Sequence, residues 1–132
     1  MRLALSACLA ALLFTTPAAA QAFRAENRVT VLPAPGGFDV QSGGGYGARG
    51  MWCAAADYAR DVLGARGSAP LYVAQGRRPG LGQRAPVRFT LDPAGLAPRS
   101  VLIVGSSLQT AGSTLTVNHA LGFCADAKVI NR

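Results

Sequence analysis

Two cysteines, Cys53 and Cys124, constrain the fold of this 132-residue chain more than any other feature. The third cysteine, Cys8, lies in an N-terminal segment with the features of a removable export signal, so a mature chain would hold only this pair. A disulfide persists in an oxidising compartment, and closing such a long loop is credited with roughly 4 kcal/mol. We therefore expect a Cys53–Cys124 disulfide, with two separately buried thiols as the alternative.

The first 20 residues have the order of an export signal. Arg2 precedes an apolar stretch from Leu3 to Phe14, and small residues ending at Ala20 form a cleavage site. A cut after Ala22 satisfies the same small-residue rule. The apolar stretch is shorter than the roughly 20 residues of a membrane-spanning helix. The segment ending at Cys8 also has the residue types of a lipoprotein processing box, but we expect ordinary cleavage near Ala20 and a periplasmic or secreted protein.

Cleavage there leaves residues 21–132, which is enough for one domain but not two. Loss of Arg2 lowers the formal net charge from +7 to +6, and the remaining basic residues are all arginines except Lys128. Arginine binds phosphate and carboxylate in a bidentate geometry, although coding bias in a chain rich in alanine, glycine and proline would also supply arginines. We expect an anionic envelope component or an acidic protein as the partner. We expect no nucleic acid, no cofactor, no metal and no transmembrane span in the mature chain.

Alternating and wholly apolar patterns predict about five to six short strands. They cover Arg28 to Leu32, Phe38 to Val40, Leu71 to Ala74, Val87 to Leu91, Val101 to Val104 and Leu115 to Val117. The Val101 to Val104 segment is apolar throughout, which is typical of a central strand. The tail from Ala125 fits neither a strand nor a helix clearly.

One helix is predicted from Met51 to Leu63, where apolar residues recur on a single face, and Gly64 and Gly67 end it. Together with the strands, this helix predicts an α+β fold in which one main helix packs on a mainly antiparallel sheet. We expect the Cys53–Cys124 disulfide to tie this helix to the C-terminal strand. The preceding segment, from Ser42 to Gly50, holds 5 glycines and is predicted to be irregular.

A literal G-x-G-x-x-G motif spans residues 45–50, at the end of that segment. In dinucleotide-binding folds this motif binds phosphates at a helix N-terminus, and an acidic residue about 20 positions later binds the ribose. No acidic residue occurs between Asp61 and Asp92. We therefore expect a loop without a cofactor, with anion capture by the helix amides and Arg49 as the alternative.

Cys53 also has the features of a catalytic nucleophile. It lies in the first turn of the predicted helix, where the helix dipole favours a thiolate, and near Arg60. His119, the only histidine, would be the base, with Asn118 or Asp126 orienting its imidazole.

The segment from Gly50 to Ala56 resembles the cysteine-bearing helix start of the NlpC/P60 and CHAP cell-wall hydrolases. This resemblance implies a cysteine hydrolase that uses Cys53 and His119. Two observations argue against it. Strict alternation places His119 late in the last strand, as a core or edge residue, and a disulfide with Cys124 would remove the nucleophile.

Four arginines form the leading candidate site. Arg77, Arg78, Arg84 and Arg88 lie in a stretch rich in glycine and proline. Such a basic loop suits phosphate, lipid A, an anionic glycan or an acidic protein surface. It lacks the interleaved aromatic residues that stack on nucleic-acid bases. The alternative is a solvated hairpin loop with ordinary surface arginines.

Several motifs together resemble a group of uncharacterised small exported proteins of Gram-negative bacteria. They are Trp52-Cys53-Ala54-Ala55, Asp57-Tyr58-Ala59, Leu63-Gly64 and Phe123-Cys124. The resemblance implies that the two cysteines belong together, with Trp52 and Tyr58 as core or boundary residues near the bridge, and it implies no activity. The leading hypothesis is therefore a non-catalytic envelope protein that binds an anionic partner, and the alternative is the cysteine hydrolase.

Overall fold

The computed structural model describes residues 21–42, 46–77 and 84–130, which form seven short strands and four helices. The strands are β1 (Phe23–Arg24), β2 (Thr30–Ala34), β3 (Gly37–Val40), β4 (Pro70–Gln75), β5 (Val87–Thr90), β6 (Arg99–Ser100) and β7 (Ser113–Thr116). The helices are α1 (Gly47–Asp61), α2 (Val104–Ser107), α3 (Val117–Gly122) and α4 (Ala125–Ile130). None of these helices is long and apolar enough to cross a membrane. The predicted export segment, with Cys8, lies outside the described residues.

All seven strands belong to one sheet, in the order β1-β2-β3-β5-β4-β7-β6. Every neighbouring pair is antiparallel except β6 with β7. The α+β class and the mainly antiparallel sheet are therefore confirmed. The sheet has seven strands, and the two at its edges, β1 and β6, contain only two residues each. A two-residue strand is too short to leave an alternating pattern in a sequence.

Helix α1 lies against one face of the sheet and forms the centre of the core. Ten consecutive residues, from Gly50 to Ala59, are buried. The sequence pattern indicates only one apolar face, but α2 and α3 also pack against α1 and cover its other sides. The alanines permit this burial because a methyl group lets neighbouring elements approach closely.

The Cys53–Cys124 disulfide is present, with an S–S distance of 2.08 Å and a Cα–Cα distance of 5.0 Å. Cys124 lies between α3 and α4. The bridge therefore joins α1 to the C-terminal helices, and the expectation that it joins α1 to a C-terminal strand is wrong.

Helix α1 begins at Gly47, so the prediction that Ser42 to Gly50 is irregular is wrong for its last residues. Gly47 has a φ of +59° at the start of the helix, which glycine adopts without strain. Gly50 packs against Tyr46, where a Cβ atom would collide with the tyrosine side chain. The Gly50 carbonyl accepts a hydrogen bond of 2.8 Å from the buried Asn27 side chain. These contacts fix the first turn of α1, at the end of the glycine-rich stretch.

Near the C-terminus, one predicted strand is wrong, and the last strand is confirmed but ends before His119. The 101–104 segment is not a central strand, since Leu102 and Ile103 are 93% and 70% exposed. The last strand ends at Thr116, whose hydroxyl accepts a hydrogen bond of 3.2 Å from the His119 amide and caps α3. His119 therefore lies on a helix and is exposed, not aligned with the apolar residues of a strand.

Candidate anion-binding site

The β4–β5 hairpin carries the predicted arginine cluster. Arg77 follows β4, Arg88 lies within β5 and Arg84 is exposed before β5, whereas Arg78 lies outside the described residues. A pocket of about 290 Å³ opens beside the hairpin and has both Arg77 and Arg88 in its wall. The described residues that line it are Asp39, Gln75, Gly76, Arg77, Ala85, Pro86 and Arg88. The structure thus brings two of the four predicted arginines to one pocket.

Arg88 is paired with Asp39 across the strands. The two residues are direct partners in the β3–β5 register, and Arg88 Nε and Nη2 donate to the two carboxylate oxygens at 2.8 and 3.1 Å. The hydrogen bond to Asp39 raises the pKa of Arg88. Asp39 was missed by the sequence reasoning, although alternation in both strands places the two side chains on the same face.

Arg77 is held against the helices. Its Nη2 lies 3.2 Å from Met51 Sδ on α1, and its backbone N–H donates to the Leu108 carbonyl at 2.7 Å. Burial lowers the pKa of the Arg77 guanidinium, because a partly buried cation loses hydration. Arg77 therefore places a partly buried cation in the wall of the pocket, where an anionic ligand would meet it.

Chemically, this pocket can bind and orient a ligand. Its described lining offers guanidinium, amide and carboxylate groups, with no cysteine, serine or histidine side chain that could act as a nucleophile or a neutral base. The described lining contains two arginines and one aspartate, so its formal charge is positive. That composition suits a small anionic group.

The nucleophile and the two candidate orienting residues of the alternative hydrolase make other contacts in the structure. Cys53 is in the second turn of α1, not in its first turn as predicted, and its sulfur is bonded to Cys124 and buried. Asp126 pairs with Arg49, while the Asn118 side chain lies against Gly67. The structure shows no thiol at Cys53 and gives the hydrolase hypothesis no support.

Arg49, the alternative anion ligand of the glycine-rich motif, has a structural role. Its Nε donates to Asp126 at 2.6 Å, and its guanidinium carbon lies 4.5 Å from the centroid of the Phe123 ring. The hydrogen bond from Arg49 holds the pKa of Asp126 below its usual value. These contacts join the start of α1 to α4, so Arg49 is already engaged. Gly45, the first glycine of the motif, lies outside the described residues.

Trp52 and Tyr58, expected in the core or at its boundary, are both buried. Trp52 Nε1 donates to the Ser107 hydroxyl at 2.8 Å, and its ring packs edge-on against Phe89. Tyr58 packs against the rings of Phe23 and Phe38. Trp52 therefore packs α1 against α2 and β5, and Tyr58 packs it against β1 and β3.

Neither a metal-binding cluster among the described residues nor a similar known protein indicates a further site. Within the described ranges, no three side chains among histidine, cysteine, aspartate and glutamate converge to hold a metal ion. The chain matches no family model, and no curated protein or solved structure is detectably similar to it.

Proposed function

We propose that this chain is a non-catalytic cell-envelope protein that binds an anionic partner at the β4–β5 hairpin. The observation that carries the proposal is the pocket wall shared by Arg77 and Arg88, with Arg84 exposed just before the lining residue Ala85. Guanidinium groups bind phosphate and carboxylate through charge-assisted hydrogen bonds. The partner is an anionic envelope component or an acidic protein surface.

The arginines have separate roles in this proposal. Arg77 and Arg84, with Arg78, supply the attraction. Arg88 is neutralised by Asp39 and acts by fixing that part of the pocket wall. A partly buried guanidinium is less screened by salt than an exposed one, so the attraction from Arg77 should weaken less at high salt than that from Arg84.

Binding to lipid A and to heparin, as a sulfated glycan, tests the proposal. The protein obtained from the full chain is titrated by calorimetry at low and high salt, and compared with a variant in which Arg77, Arg78, Arg84 and Arg88 are all serine. We expect affinity for one of the two probes to fall at high salt and to fall at least roughly tenfold in the variant.

A matched variant replaces Arg24, Arg28, Arg66 and Lys128 with serine, so it removes the same number of charges. All four residues are exposed and none of them lines the pocket. It should retain most of the affinity, because it changes net charge without changing the site. Unchanged binding in the four-arginine variant, or equal losses in the two variants, would overturn the proposal.

Localisation in the envelope forms part of the same proposal: residues 1–20 act as a removable export signal, and residues 21–132 form the mature periplasmic or secreted protein. The disulfide supports it, because such bonds persist in oxidising compartments. Intact-mass analysis of the protein recovered from the periplasm should give a chain that begins at Gln21. A protein that keeps its first 20 residues, or that carries lipid on Cys8, would contradict this part.

A further inference from the structure

The segment between β6 and α2 displays two large apolar side chains to solvent. We call residues 101–104 the β6–α2 tip. Leu102 is 93% exposed and Ile103 is 70% exposed, although they are adjacent members of a continuous apolar run. An isolated exposed leucine is ordinary, but two adjacent aliphatic side chains at the end of one element form a small apolar surface.

Hydrogen bonds on both sides fix the shape of the tip. The Val101 amide donates to the Thr114 carbonyl at 3.2 Å on the sheet side. On the helix side, the Ser106 hydroxyl donates to the Ile103 carbonyl at 3.3 Å, and the Ser107 hydroxyl donates to the Val104 carbonyl at 2.6 Å. Leu102 and Ile103 are therefore displayed by an ordered backbone, which lowers the entropy lost when they bind a surface.

A pocket of about 200 Å³ lies directly beside these apolar side chains. Its lining residues include Arg99, Ser100, Ser106, Thr110 and the tip itself. The Arg99 guanidinium and the hydroxyls of Ser100 and Thr110 are donors to phosphate oxygens, whereas the Ser106 hydroxyl already donates to the Ile103 carbonyl. The chain has no aspartate or glutamate between Asp92 and Asp126, so no carboxylate of this segment opposes an anion here.

We propose that the β6–α2 tip is a membrane-docking site. Leu102 and Ile103 insert into the interface of a bilayer that contains anionic phospholipid, and Arg99 with the Ser100 and Thr110 hydroxyls contacts a phosphate headgroup. Interfacial binding of this kind combines buried apolar area with electrostatic attraction to acidic lipids. The positive net charge of the whole chain acts in the same direction. This site is separate from the β4–β5 hairpin and uses different residues.

A bilayer fits this surface better than a second protein. A standard protein interface buries roughly 800 Å² on each partner, and two aliphatic side chains with one small pocket supply only a fraction of that area. A fluid interface requires no complementary partner surface. It therefore suits a projecting tip with a single adjacent cation.

Sedimentation with phospholipid vesicles tests the proposal. Vesicles of phosphatidylcholine alone are compared with vesicles that also contain phosphatidylglycerol, using protein obtained from the full chain. We expect preferential binding to the acidic vesicles. The double variant Leu102→Ser with Ile103→Ser should lose at least roughly tenfold in affinity, because the inserted apolar groups are gone. Arg99→Gln should lose roughly fivefold, and only towards acidic vesicles.

The far end of α1 offers a matched control. Val62 and Leu63 are adjacent, apolar and 51% and 48% exposed, but neither of them lines the pocket beside the tip. The double variant Val62→Ser with Leu63→Ser should bind vesicles as the unmodified protein does. Insertion is read directly with Leu102→Trp, whose added fluorescence should shift to the blue and be quenched by brominated lipid, whereas Leu63→Trp should show neither change.

Several results would overturn the proposal. Equal vesicle binding by the unmodified protein and the Leu102 and Ile103 double variant would remove the tip from any docking role. A change from dimer to monomer in that variant, without vesicle binding by either protein, would assign the tip to self-association. The four-arginine hairpin variant separates the two sites: if it loses lipid A or heparin but keeps vesicle binding, each site stands independently.

Discussion

Thr114 and Thr116 lie two positions apart on β7, so their side chains share one face of the sheet, yet they have opposite effects on stability. The Thr116 hydroxyl accepts the His119 amide and caps α3. The Thr114 hydroxyl oxygen is buried and has no hydrogen-bond partner among the described residues. A buried hydroxyl without a partner carries an unrecovered desolvation cost.

We expect Thr116→Ala to lower the free energy of unfolding by about 1 kcal/mol, because an amide at the start of α3 loses its acceptor. Thr114→Val should raise it by about 1 kcal/mol, because the valine keeps the shape and removes the unpaired hydroxyl. Urea denaturation followed by circular dichroism measures both changes. Thr114→Ser, which keeps the hydroxyl, should show no gain, and a loss of stability in Thr114→Val would refute this account.

Asp57 is a buried carboxylate on α1. Its two oxygens accept hydrogen bonds of 2.8 Å from the Glu26 amide and from Arg60. Burial raises the pKa of Asp57 above its usual value of 3.8, and it outweighs the lowering effect of the Glu26 amide and of Arg60. The folded state therefore binds a proton at this site more tightly than the unfolded state does.

The sign of the pH dependence follows from this raised pKa. Stability contributed by protonation of Asp57 is present below the unfolded pKa and is lost as pH rises through the higher folded pKa. We expect the free energy of unfolding of the unmodified protein, minus that of Asp57→Asn, to increase as pH is lowered from 7 towards 3.5. Urea titrations of both proteins across that range measure it. If this subtracted value decreases as pH falls, the folded pKa of Asp57 is lowered instead.

At the scale of secondary-structure elements, the contact between β3 and β5 depends on a glycine. A Cβ atom on Gly37 would collide with the backbone carbonyl of Phe89 on the neighbouring strand. Backbone cannot rotate away as a side chain can, so the strands themselves would have to separate. Gly122, at the end of α3, has no atom near the position of an added Cβ.

Gly37→Ala should therefore lower the free energy of unfolding by about 2 kcal/mol or more. Gly122→Ala should leave it unchanged or raise it by up to about 1 kcal/mol, since alanine is the better helix former. Thermal denaturation compares the two variants on the same day and in the same buffer. Similar stabilities for both would show that β3 and β5 adjust to the methyl group without cost.

The elements also show which patterns predict structure reliably. Strands β3 and β5 agree with their predicted positions because their residues alternate between a buried and a more polar face. Strand β4 agrees because it is a short apolar run, in which Leu71, Tyr72 and Val73 are all buried. Helix α1 was found by its apolar spacing, although its first turn was not, because the glycines there are ordered by Tyr46 and Asn27. Contacts of this kind leave no periodic signal.

At the scale of the whole molecule, the disulfide connects residues 71 positions apart and fixes α1 to the C-terminal helices. We expect reduction to lower the free energy of unfolding by roughly 3 to 4 kcal/mol, mainly because the unfolded chain gains freedom. Urea denaturation with and without a phosphine reductant measures the loss. The double variant Cys53→Ala with Cys124→Ala should show a loss of similar size without any reductant.

A thiol reagent provides an independent check of the same bond. Protein that lacks residues 1–20 should take up no label at neutral pH until it is reduced and unfolded. Rapid labelling of Cys53 in the non-reduced protein would contradict the disulfide and would restore the thiol that the hydrolase hypothesis requires. Equal denaturation midpoints for the oxidised and reduced protein would contradict its stabilising role.

The residues of the candidate anion-binding site could be predicted from the sequence only in part. The clustering of Arg77, Arg84 and Arg88 is evident from the sequence, because they lie close together along the chain. The pairing of Arg88 with Asp39 and the contact of Arg77 with Met51 depend on residues far away in sequence. Long-range partners of this kind are set by strand register and helix packing.

By itself, the sequence determined the cysteine pair, the central helix and the alternating strands, because covalent chemistry and local periodicity depend only on the order of residues. Only the tertiary structure decided the surroundings of these features. It buried residues 50–59 of α1 on all sides, made Val117–Gly122 a helix and exposed Leu102 and Ile103. A four-residue apolar run has the same appearance in a core strand and in a projecting tip, so its fate depends on whether another element packs over it.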